Sequence, residues 1–159
     1  MDEILEILEK NSKYTAEEIA VMTGRSPEEV EKTIKKYEDD NIIVGYTTLI
    51  NWEKTHKDSV TALIEVRVSP QRGEGYDKVA ERIYKFPEVK ACYLMSGGFD
   101  LTVIVEGKSL KEVSLFVSEK LAVQENVLST ATHFVLKKYK DNGTIFEEKT
   151  RDDREDIFI

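Results

Sequence analysis

The residues from Gly97 to Asp100 have the chemistry of a receptor for a small charged ligand. Two adjacent glycines expose backbone N–H groups and let a ligand approach closely, which suits a carboxylate. The Asp100 carboxylate can accept hydrogen bonds from an ammonium group. Thr130 and Thr132 share one face of a later predicted strand, and we expect them to close the pocket from a neighbouring subunit. The alternative is structural, because Gly97-Gly98 also fits an ordinary type I′ hairpin in which Asp100 stabilises the turn.

A second group of polar residues is suited to contacting the phosphates of nucleic acid. Its members are Arg25, Ser26, Lys32, Lys35 and Lys36. At about 100° per residue, the three lysines point away from the apolar face that Val30, Ile34 and Tyr37 would form on a helix. Acidic residues stand at both ends of the same helix, so its exposed face is mixed in charge. We therefore expect weak DNA binding per subunit with a steep dependence on salt.

Two helix-start signatures place these lysines on the second helix of a helix-turn-helix. Thr15–Glu18 and Ser26–Glu29 both fit the capping box, and Pro27 falls at the first helical position. Gly24 supplies the residue that the preceding helix needs in order to end. A helix-turn-helix commonly lays its second helix in the major groove of DNA. The alternative is a plain helical hairpin within another kind of bundle.

Composition limits the classes of protein to consider. The net charge is −8, and residues 1–50 carry 12 acidic against 6 basic side chains, which is unusual for a DNA-binding unit. No apolar run is long enough to span a membrane, no signal peptide is evident, and Cys92 is alone, so we expect a cytoplasmic protein. No catalytic or metal-ligand spacing is present, and we expect no cofactor, no metal and no enzymatic activity.

From Val60 onward the pattern predicts the order β-α-β-β-α-β. Apolar and polar residues alternate along the first strand, Pro70, Gly73 and Gly75 break it, and Asp141-Asn142-Gly143 predicts a further hairpin turn. The predicted strands are Val60–Ser69, Val89–Ser96, Leu101–Glu106 and Leu128–Lys140. The predicted helices are Tyr76–Phe86 and one that is capped by Ser109 and carries an apolar stripe of Leu110, Val113, Val117 and Leu121. Ile42–Ile50 is predicted as the wing or a connecting strand that leaves the helices. This order is that of a ferredoxin-like domain, with two helices on one face of an antiparallel sheet. The predicted class is α+β, with an N-terminal winged helix-turn-helix. The predicted parts are residues 1–50, a linker at 51–59, a ligand-binding and dimerisation domain at 60–149 and a charged tail at 150–159.

The other face of this sheet is expected to be too apolar to face water. Cys92, Leu94, Ile104 and Phe134 are the residues assigned to it. We therefore expect a second subunit to cover it, which gives a homodimer or a higher homo-oligomer. A dimer also suits a helix-turn-helix, because two-fold symmetry sets two recognition helices one turn of DNA apart.

Three short motifs stand at defined places in this order of elements. They are Gly97-Gly98-Phe99-Asp100, preceded by Ser96, between the second and third strands, Thr130-Ala131-Thr132 in the last long strand, and Ser26-Pro27 at the start of the recognition helix. With the order of elements, they resemble the leucine-responsive regulator/asparagine-synthetase regulator (Lrp/AsnC) family over about residues 1–139. That family has Gly-x-Tyr/Phe-Asp, often Thr-x-Thr, and often Leu/Val-Ser-Pro at these places. Its recognition helices are commonly rich in arginine, whereas this helix has lysines among acids.

The resemblance implies a transcription regulator that binds operator DNA and senses a small molecule, in most cases an amino acid. The effector-binding residues that it implies are Ser96, Gly97, Gly98, Phe99, Asp100, Thr130 and Thr132. One alternative is a ligand sensor or assembly protein that does not bind DNA. Another is an enzyme like the haem-pathway decarboxylases of the same architecture, which would need histidines or arginines around a tetrapyrrole. With two histidines and no arginine cluster, the chain fits this alternative least well.

Overall fold

The computed structural model describes residues 2–69 and 75–146. The chain divides into two compact units, residues 1–50 and residues 51–159, and each is described by itself. The predicted break at Pro70 and Gly73 and the predicted tail at 150–159 lie outside the described residues.

The N-terminal unit consists of three helices, α1 (Glu3–Lys10), α2 (Ala16–Thr23) and α3 (Pro27–Asp39). Both predicted capping boxes are confirmed: Thr15 and Ser26 cap α2 and α3 and accept from the third amide of each helix. Gly24 ends α2 in the left-handed region at φ 69°, a conformation that other residues adopt at a cost. The helices pack around a small core of Ile4, Leu8, Ile19, Ala20 and Val30. Met22 is 51% exposed, because the core contacts of α2 are made by Ile19 and Ala20.

The prediction of a strand at Ile42–Ile50 is wrong, because residues 44–50 have no regular secondary structure. The amides of Ile42 and Ile43 instead donate to the carbonyl of Tyr37 and close the end of α3. The β-branched composition gives this segment strand propensity, but a strand requires a neighbour with which to pair. The N-terminal unit offers no such neighbour among its described residues.

The C-terminal unit is a four-stranded antiparallel sheet with helices on one face. After a 3₁₀ turn at Trp52–Lys54, its elements are β1 (Val60–Val68), α4 (Gly75–Tyr84), β2 (Val89–Leu94), β3 (Leu101–Gly107), α5 (Leu110–Phe116) with a π-helical turn at Val117–Leu121, β4 (Val127–Phe134), β5 (Lys140–Asp141) and β6 (Thr144–Ile145). The strand order is β2-β3-β1-β4. The predicted ferredoxin-like β-α-β-β-α-β order is confirmed, as is the Asn142-Gly143 turn between β5 and β6.

The core of this unit lies between the sheet and the two helices. Alternate residues of β1 and β3 are fully buried there, together with α4 and α5 side chains such as Ile83 and Val113. Leu110, which the sequence assigned to the apolar stripe of α5, is 55% exposed. Phe116 of the same helix is buried and packs edge-on against Phe86. The π-helical turn that follows Phe116 widens the helix and brings Leu121 into the core.

Three of the four residues assigned to the uncovered sheet face lie on the opposite face. Cys92 pairs with buried Val103, Leu94 pairs with buried Leu101, and Phe134 pairs with buried Ala62, so all three point toward the helices. Only Ile104 is on the uncovered face, where its neighbours are Leu63 and Ala91. For Cys92 and Leu94 the error arises because a β-bulge beside Lys90 shifts the alternation along β2, whereas the face of Phe134 depends on its pairing with Ala62, which the sequence does not show.

Candidate functional sites

The exposed face of α3 carries the three lysines predicted to contact DNA. Lys32, Lys35 and Lys36 are all exposed, on the side opposite buried Val30. Among the residues that the structure describes, none of the three forms an ion pair within 4 Å. Their ammonium groups are therefore able to bind an external anion without breaking an internal contact. The capping box and Pro27 fix where this helix begins and so fix which residues share its outer face.

Arg25 and Ser26, the other two predicted contacts, have partners within the unit. The Ser26 hydroxyl accepts from the Glu29 amide at 3.2 Å, and the Glu29 carboxylate accepts from the Ser26 amide at 3.4 Å. The Arg25 guanidinium lies 3.6 Å from the Asp2 carboxylate. All five predicted residues thus lie on the turn or the recognition helix. Arg25 and Ser26 have polar partners within the unit, whereas the three lysines form no such contacts among the described residues.

Asp2 is a candidate residue that no sequence motif indicated. Its carboxylate caps α1 by accepting from the Ile4 amide at 3.1 Å, and it also accepts from the Tyr37 hydroxyl on α3. The Tyr37 hydrogen bond is the main reason that the pKa of Asp2 lies below its usual value, with the Ile4 amide and Arg25 acting in the same direction. The same hydrogen bond raises the pKa of Tyr37. Aspartate is a favoured N-cap, but its contacts with Tyr37 and Arg25 have no local sequence signal.

The predicted effector loop is a six-residue connection from Met95 to Asp100. It is longer than the two-residue loop of the type I′ hairpin that was the alternative prediction for Gly97-Gly98. A type I′ turn requires positive φ at both central residues, and here only Gly97 has it, at 149°. A Cβ at Gly97 or Gly98 would meet no atom within 4 Å. Backbone conformation at Gly97, and not lack of space, is therefore what requires glycine. Ser96, Gly97 and Gly98 are exposed, and Phe99 is half-buried.

Asp100 anchors this loop to the end of β1. Its Oδ2 accepts from the Val68 amide at 2.8 Å, and its own amide donates to the Val66 carbonyl at 3.0 Å. The Met95 amide closes the loop by donating to the Asp100 carbonyl at 2.8 Å. Asp100 is half-buried and sits beside the register shift between Arg67 and Val68. One carboxylate oxygen therefore has a structural partner, which the sequence did not indicate because that partner is 32 residues away.

Thr130 and Thr132 lie on β4, at the opposite edge of the sheet from β2. Thr130 pairs with Val66, whose other neighbour is Leu101 at the end of the loop. Thr130 and the loop are thus at the same end of the sheet, about 10 Å apart by two strand spacings. Thr132 lies two residues further along β4, away from the loop, and both threonines are half-buried. A single small ligand cannot reach from Asp100 to Thr132 of the same chain, which favours contribution of the threonines by a neighbouring subunit.

Within residues 2–69 and 75–146 there is no group of histidine, cysteine, aspartate or glutamate arranged to hold a metal ion. A helix of sufficient length and apolarity to cross a membrane is likewise not found in this part of the chain. Burial raises the pKa of the Cys92 thiol, which disfavours the reactive thiolate.

Comparison with known proteins identifies the two units. Residues 61–145 match the sequence model of the Lrp/AsnC ligand binding domain, and residues 3–44 match that of a winged helix-turn-helix DNA-binding domain. The chain belongs to the Lrp/AsnC family. Relatives similar to it include YugG of Bacillus subtilis, an uncharacterized HTH-type transcriptional regulator, which is 49% identical over 99% of this chain and 94% of the relative. The HTH-type transcriptional regulator LrpA of Pyrococcus horikoshii is 31% identical over 86% of this chain and 94% of its own.

Solved structures of Lrp/AsnC proteins agree with this assignment. The transcriptional regulator NMB0573 of Neisseria meningitidis, in complex with L-methionine, is 26% identical, with a TM-score of 0.72 over 89% of this chain and 93% of that chain. AsnC of Escherichia coli, at 22% identity and a TM-score of 0.65, has the same fold over 85% of this chain and 89% of its own. The chain is therefore a DNA-binding transcription regulator of the Lrp/AsnC type with a ligand-binding domain. Its relatives are regulators and not enzymes, which removes the decarboxylase alternative.

Proposed function

We propose that this regulator binds operator DNA through α3 and senses an amino acid at the loop formed by residues 95–100. The observation that carries the DNA part is the face of three exposed lysines on the second helix of a helix-turn-helix. Support for the effector part comes from NMB0573, a structure of similar fold that holds L-methionine. We place this activity in the cytoplasm, the compartment that contains operator DNA.

The lysines are suited to contacting phosphates more than reading bases. A lysine ammonium is a compact point charge, whereas the paired contact with guanine is best made by the planar fork of arginine. Lys32, Lys35 and Lys36 can therefore supply affinity that falls steeply with salt. Ser26 and Arg25 stand at the end of α3 that enters the groove in a helix-turn-helix and are proposed to join the contacts there. Nearby acids reduce the attraction, so several linked subunits are needed for tight binding.

The test of DNA binding is a triple change of Lys32, Lys35 and Lys36 to Ala. Fluorescence anisotropy with a labelled duplex from upstream of the gene should show binding by the unchanged protein and none by the variant at the same salt. A matched control changes three exposed lysines of the other unit, Lys90, Lys111 and Lys140, to Ala and removes the same charge. Equal binding by both variants would contradict the assignment of α3.

The loop can receive the two charged groups of an amino acid separately. The backbone amides around exposed Gly97 and Gly98 suit the α-carboxylate, since glycine lets the ligand approach closely. Asp100 uses Oδ2 for the Val68 amide, and we assign Oδ1 to the α-ammonium group. Ser96 and Phe99 flank these contacts. Thr130 and Thr132 are proposed to complete the pocket from a neighbouring subunit.

The test of effector binding is a thermal-shift panel of the common amino acids, beginning with L-methionine. At least one amino acid should raise the melting temperature in proportion to its occupancy, because a ligand that binds only the folded state stabilises it. Gel filtration with and without that amino acid then reports whether occupancy changes the assembly. A panel in which no amino acid raises the melting temperature at millimolar concentration would overturn the proposed effector class.

The uncovered sheet face is proposed as the dimer interface. Its central residues, Leu63 and Ile104, are half-buried already within one chain, and Tyr93 at one side is 57% exposed. Around them the face is polar, with Glu65 lying 3.4 Å from His133. An apolar centre with a polar rim is typical of protein interfaces. The dimer proposal therefore rests on these residues and not on Cys92, Leu94 or Phe134, which face the helices.

A further inference from the structure

The Asp2 carboxylate connects three parts of the helix-turn-helix. It caps α1 by accepting from the Ile4 amide, accepts from the Tyr37 hydroxyl on α3 and lies beside the Arg25 guanidinium from the turn between α2 and α3. The Asp2 side chain is only 23% exposed, although it is an acid near the start of the chain. A carboxylate held by partners from separate elements keeps a fixed position and so presents a fixed negative charge.

These contacts turn the Arg25 guanidinium away from the lysine face of α3. Tyr37 belongs to the Val30–Ile34–Tyr37 side of the helix, opposite the three lysines. Because Asp2 touches both Tyr37 and Arg25, the guanidinium lies toward that inner side. Arg25 is nevertheless 38% exposed, so its side chain has room to swing outward.

We infer that Asp2 is a positioning residue that holds Arg25 off the DNA in the unbound protein and thereby lowers DNA affinity. The inference rests on the proposed DNA binding through α3. Arg25 precedes the recognition helix directly, where a helix-turn-helix meets the groove. A phosphate must replace Asp2 as the partner of Arg25 before this arginine can contribute to binding.

The geometry makes this replacement feasible. The Arg25 to Asp2 separation of 3.6 Å is a loose ion pair, with no hydrogen bond between the two groups. If Arg25 leaves, Asp2 keeps its hydrogen bonds to the Ile4 amide and the Tyr37 hydroxyl, so the fold of the unit stays intact. The residual negative charge of Asp2 still opposes an approaching phosphate, and this is the charge that limits affinity.

The test is Asp2→Asn, measured by fluorescence anisotropy with a labelled duplex of arbitrary sequence over a series of NaCl concentrations. Asparagine is as good an N-cap as aspartate and keeps an acceptor for Ile4, so the fold is retained, which a melting curve checks. Removing one nearby negative charge should tighten binding about three- to tenfold at low salt. A phosphate contact of Arg25 that Asp2 no longer opposes should also steepen the slope of log K against log [salt], by up to about 0.9.

Two further variants separate positioning from a general effect of charge. Glu3→Gln removes the same charge one residue along, from an exposed side chain, and should tighten binding less than Asp2→Asn does. Arg25→Ala should weaken binding less in the unchanged protein than in the Asp2→Asn background, where it should abolish the gain. Asp2→Ser, which also supplies a good N-cap, replaces Asp2→Asn if that variant does not fold.

The outcomes distinguish this inference from the function on which it rests. If the unchanged protein binds DNA but Asp2→Asn binds no more tightly, or if Glu3→Gln has the same effect, the inference is wrong while the proposed function stands. An equal loss of binding from Arg25→Ala in both backgrounds would also overturn it, because Arg25 would then contact DNA without opposition from Asp2. If neither the unchanged protein nor Asp2→Asn binds DNA at low salt, the proposed function fails and the inference fails with it.

Discussion

Replacing Asp100 separates its two roles, because one of its carboxylate oxygens serves the fold. In Asp100→Ala the Val68 amide, which is almost fully buried, loses its acceptor at 2.8 Å. A hydrogen bond to a charged acceptor contributes about 1.5–3 kcal/mol, so the free energy of unfolding should fall by about that much. For a unit of this size the melting temperature of the ligand-free protein should then fall by about 5–15 °C. Asp100→Asn keeps an oxygen for the Val68 amide and should melt close to the unchanged protein.

The amino-acid response reports the second role. The ligand's ammonium group needs the negative charge of Asp100, so Asp100→Asn should weaken binding at least tenfold, equivalent to about 1.4 kcal/mol. The assay is a pair of melting curves for each variant, with and without the amino acid found in the panel. Asp58→Asn, which removes the same charge from an exposed position, is the control. An unchanged ligand response in Asp100→Asn would refute the receptor role, and an unchanged melting temperature in Asp100→Ala would refute the anchoring role.

Two more predictions follow from side-chain contacts. Because its contacts hold the pKa of Asp2 below the usual value near 3.8, the charged form stabilises the fold above that pH and loses this contribution as the pH falls through the lowered pKa. Urea denaturation should therefore show the stability gap between the unchanged protein and Asp2→Asn shrinking with acid, and a constant gap would contradict this. Ile104→Glu should convert the dimer to a folded monomer in sedimentation velocity, whereas Leu110→Glu, on the helix side, should leave it dimeric. If the Ile104→Glu variant remained dimeric, the uncovered sheet face would not be the dimer interface.

Local chemistry is what the sequence predicted well. The caps at Thr15 and Ser26, the left-handed Gly24 and the Asn142-Gly143 turn were all identified, because each signal lies within a few residues of the backbone group that it satisfies. The alternation along β1 was also correct, since period-two burial needs no knowledge of the neighbouring strand.

Features that depend on distant partners were not predictable in the same way. Cys92 and Phe134 were assigned to the wrong face because face assignment depends on where a strand starts and on bulges that only pairing reveals. The same limit applies to the candidate sites. The lysines of α3 were located by helical periodicity, whereas the contacts of Asp100 with Val68 and of Asp2 with Arg25 join residues far apart in the chain.

A regulator of this kind requires that its two sites be coupled, and one titration measures this directly. The unchanged protein is titrated against labelled upstream DNA by fluorescence anisotropy, with and without a saturating amino acid chosen from the thermal-shift panel. We predict that the amino acid changes the Kd for DNA by about 5- to 150-fold, and that DNA changes the amino-acid affinity by the same factor, as linkage requires. Asp100→Asn should lose this effect of the amino acid while binding DNA normally. An identical Kd for DNA with and without bound amino acid would contradict the proposal that this protein senses an amino acid to control DNA binding.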